Sequence, residues 1–137
     1  MYMYFYDPKL KAELPYYDRF PLTIMVEPAK GGFYGLNLHY LRPDIRAKFL
    51  DELMKIGPAK ATESSRITKM RYKLLAGVRK YKEFKPCFKH YLTDHVRSQF
   101  SRVPMTDWEV AIFLPVEQFK KSSKTAVWKD SLKIARS

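Results

Sequence analysis

The sequence predicts an α+β protein: a small, mainly antiparallel sheet packed by about three helices, with a basic C-terminal arm. Aromatic and methionine residues alternate near the start, two apolar runs flank a turn rich in Pro and Gly, and apolar residues later recur at helical spacings. A length of 137 residues with 46% apolar residues suits one domain with its own core. We expect that domain over residues 1–116 and a basic arm or helix over residues 117–137.

The front half of the chain supplies most of the predicted sheet. In residues 1–6 Met or Phe alternates with Tyr, and this period of two is typical of a strand. Residues 22–27 and 33–41 predict two more strands, joined as a hairpin by a five-residue loop over residues 28–32. Gly35, inside the later strand, indicates a bulge or a close approach of another backbone.

A further strand is predicted over residues 110–114. Thr106 and Glu109 have the spacing of a helix capping box, but an apolar, strand-like run follows them at once. Pro115 bounds that run. We therefore expect a turn followed by a strand here.

Three helices are predicted between these strands. Pro43 suits the first turn of a helix, apolar residues follow it at spacings of three and four, and Gly57 and Pro58 end the pattern. Apolar and basic residues interleave over about residues 65–80, which predicts a second helix. A third helix is expected from residue 87 to about residue 100.

Positive charge is concentrated in the middle and the tail of the chain. The formal net charge is +12, and residues 66–102 hold eleven Lys and Arg against two Asp and Glu. Residues 117–137 hold six against two, whereas residues 1–65 are nearly neutral. This asymmetry favours a polyanion or an acidic protein surface as the partner.

Aromatic residues interleave with the cations of the middle segment. Cations neutralise phosphates and rings stack on unpaired bases, so the pattern fits a nucleic-acid binder. A protein interface fits the pattern equally well, a solvated helix face whose rings belong to the core is the third alternative, and the sequence leaves all of them open. For a nucleic-acid binder, the residues predicted to contact phosphates are Arg71, Lys73, Arg79, Lys80, Lys82 and Lys89.

The residues capable of catalysis form no recognisable constellation. Cys87 is the single cysteine, and with three histidines it cannot build a four-ligand zinc site of the usual spacing. Pairing Cys87 with His90 leaves no third group to orient the pair, and His39 and His95 are more simply structural. We predict no enzyme, no catalytic or metal site, no cofactor and no small-molecule substrate. No stretch is long and apolar enough to predict membrane insertion.

Several phrases of the sequence are characteristic of one family. They include LPYYDRFP at residues 14–21, GGFYGLNLHYL at residues 31–41, KPCFKHYL at residues 85–92 and WEVAIFLP at residues 108–115. In these phrases the chain resembles a small virion-associated protein of T-even-like contractile-tailed bacteriophages, of the marine myophage type. The resemblance covers nearly the whole chain and transfers no functional residues. It implies a virion or DNA-handling phage protein, present in the host cytoplasm during assembly and then in the virion.

Two functions are consistent with this resemblance. The preferred one is a non-enzymatic structural or assembly protein, a minor tail or baseplate component that docks on other virion proteins through aromatic and basic surfaces. The alternative is a nucleic-acid-binding phage protein that acts on packaged DNA or DNA ends. For the preferred function, the expected partner-binding residues are Tyr2, Tyr4, Tyr6, Lys120, Lys121, Lys124 and Trp128.

Overall fold

The computed structural model describes residues 1–55, 62–77 and 82–136, and it is α+β as predicted. Short 3₁₀ helices lie at Leu38–Tyr40, Lys82–Phe84, Thr93–His95 and Met105–Asp107. The strands are β1 (Tyr2–Met3), β2 (Tyr17–Asp18), β3 (Leu22–Ala29), β4 (Gly32–Asn37), β5 (Phe88–Leu92), β6 (Ser101–Arg102) and β7 (Phe119–Lys120). The α-helices are α1 (Pro43–Met54), α2 (Glu63–Gly77), α3 (Trp108–Ala111) and α4 (Lys124–Arg136).

The strands form two antiparallel sheets. The larger has five strands in the order β5-β4-β3-β1-β6, and the smaller is a ribbon of β2 and β7. β1 is therefore an interior strand, with Tyr2 opposite Thr23 on one side and Arg102 on the other. This position explains why the N-terminal residues are apolar on both faces.

The predicted hairpin is present, with a shorter turn than expected. Ala29 pairs with Gly32, so only Lys30 and Gly31 connect β3 and β4. Gly31 has a φ of 77°, a conformation that favours glycine. Pro28 and Ala29 extend the strand instead of joining the turn.

Gly35 lies beside a bulge, one of the two features that its position in a strand suggests, and its close neighbour is a side chain instead of a backbone. It lies opposite Met25, and the register of the β3–β4 pair shifts between Met25 and Glu27, as at a bulge. A Cβ atom on Gly35 would lie 2.3 Å from the Thr23 methyl carbon. The position therefore has no room for a larger residue.

Helix α1 begins at Pro43 as predicted, and α2 covers Glu63–Gly77, close to the predicted second helix. The predicted ends at Gly57 and Pro58, and at residue 80, lie outside the described residues. The predicted third helix is wrong, because residues 88–92 form β5, which pairs with β4.

The predicted strand over residues 110–114 is also wrong. The chain there forms the short helix α3, followed by a turn. Trp108, at the start of α3, is 1% exposed, and its indole nitrogen donates a hydrogen bond to the Val103 carbonyl. Burial of this large ring fixes the segment as a helical turn.

The five-stranded sheet separates two buried clusters. Leu22 and Ile24 belong to the larger cluster, which also contains residues of the helices. Thr23, between them, accepts a hydrogen bond from Tyr4. Tyr4 belongs to the second cluster, with Tyr6, Phe33 and Tyr91, which is called the aromatic cluster below. Since side chains alternate along a strand, the helices cover one face of the sheet and aromatic rings cover the other.

Arg46, on α1, is completely buried and holds several loops together. Its Nε donates to the Leu38 and Leu41 carbonyls at 2.8 and 2.7 Å, and its Nη1 donates to the Ile112 carbonyl at 2.8 Å. Its Nη2 lies 3.6 Å from the Glu117 carboxylate. The side chain joins α1 to the segment that precedes it and to the segment that follows α3.

Candidate nucleic-acid interface

The solvent-exposed side of α2 is basic and carries Arg71, Tyr72 and Lys73; it is called the α2 face below. Met70 and Leu74 turn inward to the core, while Arg71 and Lys73 are exposed. Tyr72, between them in sequence, is 78% exposed, so its ring contributes little to the core. Two of the predicted phosphate contacts, Arg71 and Lys73, therefore lie at the surface beside an accessible ring.

The other predicted phosphate contacts are placed differently. Lys82 is exposed, and Arg79 and Lys80 lie outside the described residues. Lys89 is on β5 and half-buried, with its Nζ 4.0 Å from the centre of the Tyr40 ring. Burial lowers the pKa of the Lys89 ammonium group. Lys89 does not extend a basic helix face, because its segment is a strand.

The N-terminal tyrosines do not form an exposed anchor. Tyr4 and Tyr6 are 1% and 7% exposed, and the Tyr4 hydroxyl donates to Thr23 Oγ1 at 3.0 Å. The Tyr6 hydroxyl accepts a hydrogen bond from the Leu92 amide at 2.7 Å. Tyr2 is half-buried. The expectation that Tyr4 and Tyr6 anchor a partner is wrong, because the aromatic cluster encloses both rings.

Lys120 and Lys121 are neighbours with different roles. Lys120 is exposed and pairs with Tyr17 across the β2–β7 ribbon. Lys121 has a φ of 69°, and its Nζ donates to the carbonyls of Lys11, Ala12 and Leu14 at 2.5, 3.2 and 2.9 Å. Lys121 therefore fastens the segment over residues 11–14 to the ribbon, and Lys120 remains directed to solvent.

Lys124 and Trp128, on α4, are also engaged within the chain. The Lys124 Nζ lies 3.4 Å from the Glu117 carboxylate. The Trp128 indole nitrogen donates to the His39 carbonyl at 2.9 Å, and the ring is half-buried. Of the C-terminal residues expected to bind a partner, Lys120 is thus the one with the most accessible charge.

A cleft of about 460 Å³ opens where the N-terminal segment meets the β2–β7 ribbon. Residues from distant parts of the chain line it, and it is named the basic cleft below. Its cations and rings are Lys11, Arg19, Arg97, Lys120, Phe5, Tyr6 and Tyr17.

Positive charge outweighs negative charge in the basic cleft. Asp7 also lines it, 2.9 Å from Lys11 Nζ and 3.8 Å from Arg97 Nη2. The hydrogen bond from Lys11 holds the pKa of Asp7 below its usual value. Neither Arg19 nor Lys120 forms an ion pair with any carboxylate in the described ranges. An anion entering the cleft therefore meets two cations that are not neutralised by a neighbour.

Backbone hydrogen bonds fix the walls of the basic cleft. The Tyr6 amide donates to the Arg19 carbonyl at 2.9 Å, and the Arg97 amide donates to the Phe5 carbonyl at 2.8 Å. The Arg19 amide donates to the Gln118 carbonyl at 2.9 Å. The positions of these charged residues are thus set by the fold and not by a mobile loop.

Most cations of the basic cleft were not predicted from the sequence. Lys11, Arg19 and Arg97 were not among the predicted contact residues. Lys11 and Arg19 lie in the nearly neutral front half of the chain, and Arg97 lies in the basic middle segment but apart from its dense run of cations. Phe5 is 39% exposed between two buried tyrosines, and nothing in the sequence distinguishes it from them.

The titratable residues considered for catalysis are occupied or buried. His39 Nδ1 donates to the Asp18 carboxylate at 2.8 Å, and ring nitrogens of His90 and His95 each lie 2.9 Å from a backbone carbonyl oxygen. Burial raises the pKa of the Cys87 thiol to about 12. These are the environments of structural side chains.

The described residues hold neither a metal-binding cluster nor a membrane-spanning helix. Over residues 1–55, 62–77 and 82–136, no three His, Cys, Asp or Glu side chains are grouped so that they could hold a metal ion. Within the same ranges, no helix combines the length and apolarity needed to cross a membrane.

The family model described as phage T4 terminal DNA protecting protein matches residues 1–132. No curated protein and no solved structure matches the chain. The expected origin in a T4-like phage is confirmed. The expectation of a minor tail or baseplate component is wrong, because the matching family is described by DNA protection; the alternative, action on DNA ends, is favoured instead. The match extends over almost the whole chain, and this protein therefore belongs to the phage T4 terminal DNA protecting protein family.

Proposed function

We propose that this protein is a non-enzymatic DNA-binding protein that occupies the ends of linear phage DNA and thereby blocks access to them. The observation that carries the proposal is the match of residues 1–132 to a family described by protection of terminal DNA. A protein that covers an end needs affinity for the duplex and a preference for its terminus.

The charge of the chain supports affinity for DNA. The net charge is +12, and Arg71 and Lys73 stand exposed on α2 beside the ring of Tyr72. Lysines and arginines that neutralise phosphates release counterions, which favours binding to any DNA sequence. We assign the α2 face to contacts with the duplex backbone, because a helix face is open enough to lie along it.

The surroundings of the candidate catalytic residues support a role without chemistry. Each of the three histidines has a partner inside the protein, and the Cys87 thiol is buried and protonated at neutral pH. A nucleophile has to be accessible and at least partly ionised. Protection by occupancy requires neither.

The proposed site of action follows from where phage DNA has ends. Linear DNA has exposed ends in the host cytoplasm on entry and during packaging, and the packaged molecule has ends in the virion. We place the protein on the DNA at these stages. Recovery of the chain with DNA released from purified particles, and its loss from particles emptied of DNA, would support the virion stage.

A comparison of linear and circular DNA tests the function. The protein is mixed with labelled linear duplex and challenged with unlabelled competitor of the same sequence, either linear or closed into a circle. We expect the linear competitor to displace the label at lower concentration, and an added double-strand exonuclease to degrade the protein-bound duplex more slowly. Equal competition by the circular and the linear competitor, with no slowing of the exonuclease, would contradict end protection.

A further inference from the structure

We infer that the basic cleft binds the terminal nucleotide of a DNA strand, with Arg19 and Lys120 holding the terminal phosphate and Phe5 contacting the base. The inference rests on the proposed function and assigns its end-recognition step to a site. The α2 face would then hold the duplex, and the basic cleft would distinguish an end from the interior.

The size of the basic cleft favours a single nucleotide. Pockets that enclose a small molecule have volumes of about 300–1,000 Å³, and the basic cleft, at about 460 Å³, is in the lower part of this range. A duplex is too wide to enter such a space. An internal nucleotide has a strand on both sides, whereas a terminal nucleotide has one free side and can enter.

The charge of the basic cleft favours a phosphomonoester. A terminal phosphomonoester carries a charge of about −1.5 to −2 at neutral pH, compared with about −1 for a phosphodiester within the strand. Lys11 and Arg97 already face Asp7, while Arg19 and Lys120 have no described carboxylate partner. The two free cations match the extra charge that distinguishes the end of a strand.

The ring of Phe5 provides a surface for the base. It is 39% exposed, and the Phe20 ring supports it from one side at a centroid distance of 4.6 Å. Stacking of a base on an aromatic side chain contributes about 1–3 kcal/mol and does not depend on base identity. A site that accepts any terminal base suits ends of varied sequence.

The test uses the full chain and linear duplexes of one sequence that end in a 5′-phosphate, a 3′-phosphate or hydroxyls alone, with a closed circle for comparison. We expect at least one phosphorylated duplex to bind about tenfold more tightly than the hydroxyl-ended duplex, as one added charge-assisted hydrogen bond would give. In the Arg19→Ala/Lys120→Ala variant this ratio should fall to near one, with affinity for the circle unchanged. The matched Lys129→Ala/Lys133→Ala variant removes two exposed cations from α4 and should keep the ratio.

The outcomes separate this inference from the proposed function. A preference for linear over circular DNA that does not depend on terminal phosphate would overturn the cleft assignment and leave end protection standing. A ratio unchanged in Arg19→Ala/Lys120→Ala would do the same. Equal affinity for linear and circular DNA would overturn both the cleft assignment and the proposed end protection.

A second measurement needs no variant of the cleft. A deoxynucleoside 5′-monophosphate and its 3′ isomer are titrated separately into the isotopically labelled wild-type protein, and amide chemical shifts are followed by NMR. We expect one of them to shift the amides of Phe5, Tyr17, Arg19 and Lys120 and to leave those of α4 unchanged. Absence of shifts in the basic cleft with both mononucleotides would contradict the inference.

Discussion

The imidazole of His39 donates a hydrogen bond of 2.8 Å to the carboxylate of Asp18, and both side chains are buried. The same carboxylate accepts hydrogen bonds from the Asn37 side-chain amide and from the backbone amides of Phe20 and Gln118, each at 3.0 Å. Asp18 therefore ties the β2–β7 ribbon to the end of β4. Because this network joins separate segments through one buried carboxylate, we expect it to contribute strongly to the free energy of unfolding.

Replacing Asp18 by Asn should destabilise the protein at neutral pH and change its response to acid. Burial raises the pKa of Asp18, but hydrogen bonds from His39, Asn37 and the Phe20 amide outweigh burial and hold the pKa below its usual value. A depressed pKa gives stability that is present above about pH 4, the unfolded value, and is lost as the pH falls through the lower folded value. We expect Asp18→Asn to lose about 2–4 kcal/mol at neutral pH.

Urea denaturation across this pH range measures the effect. The difference in unfolding free energy between wild type and Asp18→Asn should shrink as the pH falls below about 4, because Asp18 of the unfolded chain then binds a proton while the folded carboxylate is protonated only at lower pH. The exposed Asp51, replaced in the same way, should change stability by less than about 0.5 kcal/mol. A difference that does not vary with pH would show that the charge of Asp18 is unimportant.

Replacing Arg46 by Met should cost about 3–5 kcal/mol of unfolding free energy, because three buried carbonyls would lose their donor and the buried Glu117 carboxylate would lose one of its two ion-pair partners. Arg46→Lys should recover less than half of this loss, since a lysine has no planar fork to reach separate carbonyls. Urea denaturation of both variants provides the measurement. A loss below about 1 kcal/mol for Arg46→Met would contradict a central role for this side chain.

Tyr4 should behave as a core residue. We expect Tyr4→Ala to lose about 3–5 kcal/mol, because the cavity replaces contacts with Phe33 and Tyr91. Tyr4→Phe should lose about 1 kcal/mol, the usual contribution of one hydrogen bond, here to Thr23. Tyr72→Ala, at a position 78% exposed, is the matched control and should change thermal stability little. Equal effects of Tyr4→Ala and Tyr72→Ala would argue against the aromatic cluster.

The Cys87 thiol should resist thiol reagents in the folded protein. Burial raises its pKa to about 12, so the reactive thiolate is scarce at about pH 8, where an ordinary cysteine is partly ionised. We expect Ellman's reagent to react with Cys87 only after addition of guanidinium chloride. Rapid reaction of the native protein would mean that the thiol is accessible.

The α2 face should determine how binding to duplex DNA depends on salt. The logarithm of the affinity falls linearly with the logarithm of the salt concentration, and each phosphate contact adds about 0.9 to the steepness of this slope. Arg71→Ala and Lys73→Ala should therefore each reduce the slope by about this amount on a circular duplex, where no end contributes. The Lys129→Ala/Lys133→Ala variant should retain the wild-type slope. An unchanged slope in both α2 variants would place the duplex elsewhere on the surface.

The elements that follow local rules could be predicted from the sequence. Pro43 marks the start of α1, and the glycines after β3 mark the hairpin turn, because each depends on backbone preferences of a few neighbouring residues.

β5 was misassigned for a definite reason. Phe88 and Leu92 are four residues apart, a spacing that places them on one face of a helix and also on one face of a strand. Pairing with β4 decides between the two, and that partner is distant in sequence.

The basic cleft illustrates a second limit of prediction. The exposed cations of α2 could be foreseen, since Arg71 and Lys73 lie close together in one predicted helix. Arg19, Arg97 and Lys120 meet only because β2 pairs with β7 and the N-terminal segment bridges to residues 95–97. Long-range pairing of two-residue strands leaves little pattern in the sequence. The positions of these cations therefore became evident only with the fold.

The three hydrogen bonds from Lys121 to residues 11–14, together with the pairing of Tyr17 and Lys120, have a consequence for synthesis. The two sides of the cleft are translated about a hundred residues apart. A nascent chain still on the ribosome can display its basic helix long before it can complete this pocket. On the inference above, capture of a strand end has to wait until both sides of the cleft have been translated, and a chain that still lacks residues 119–121 can associate with nucleic acid only through its general charge.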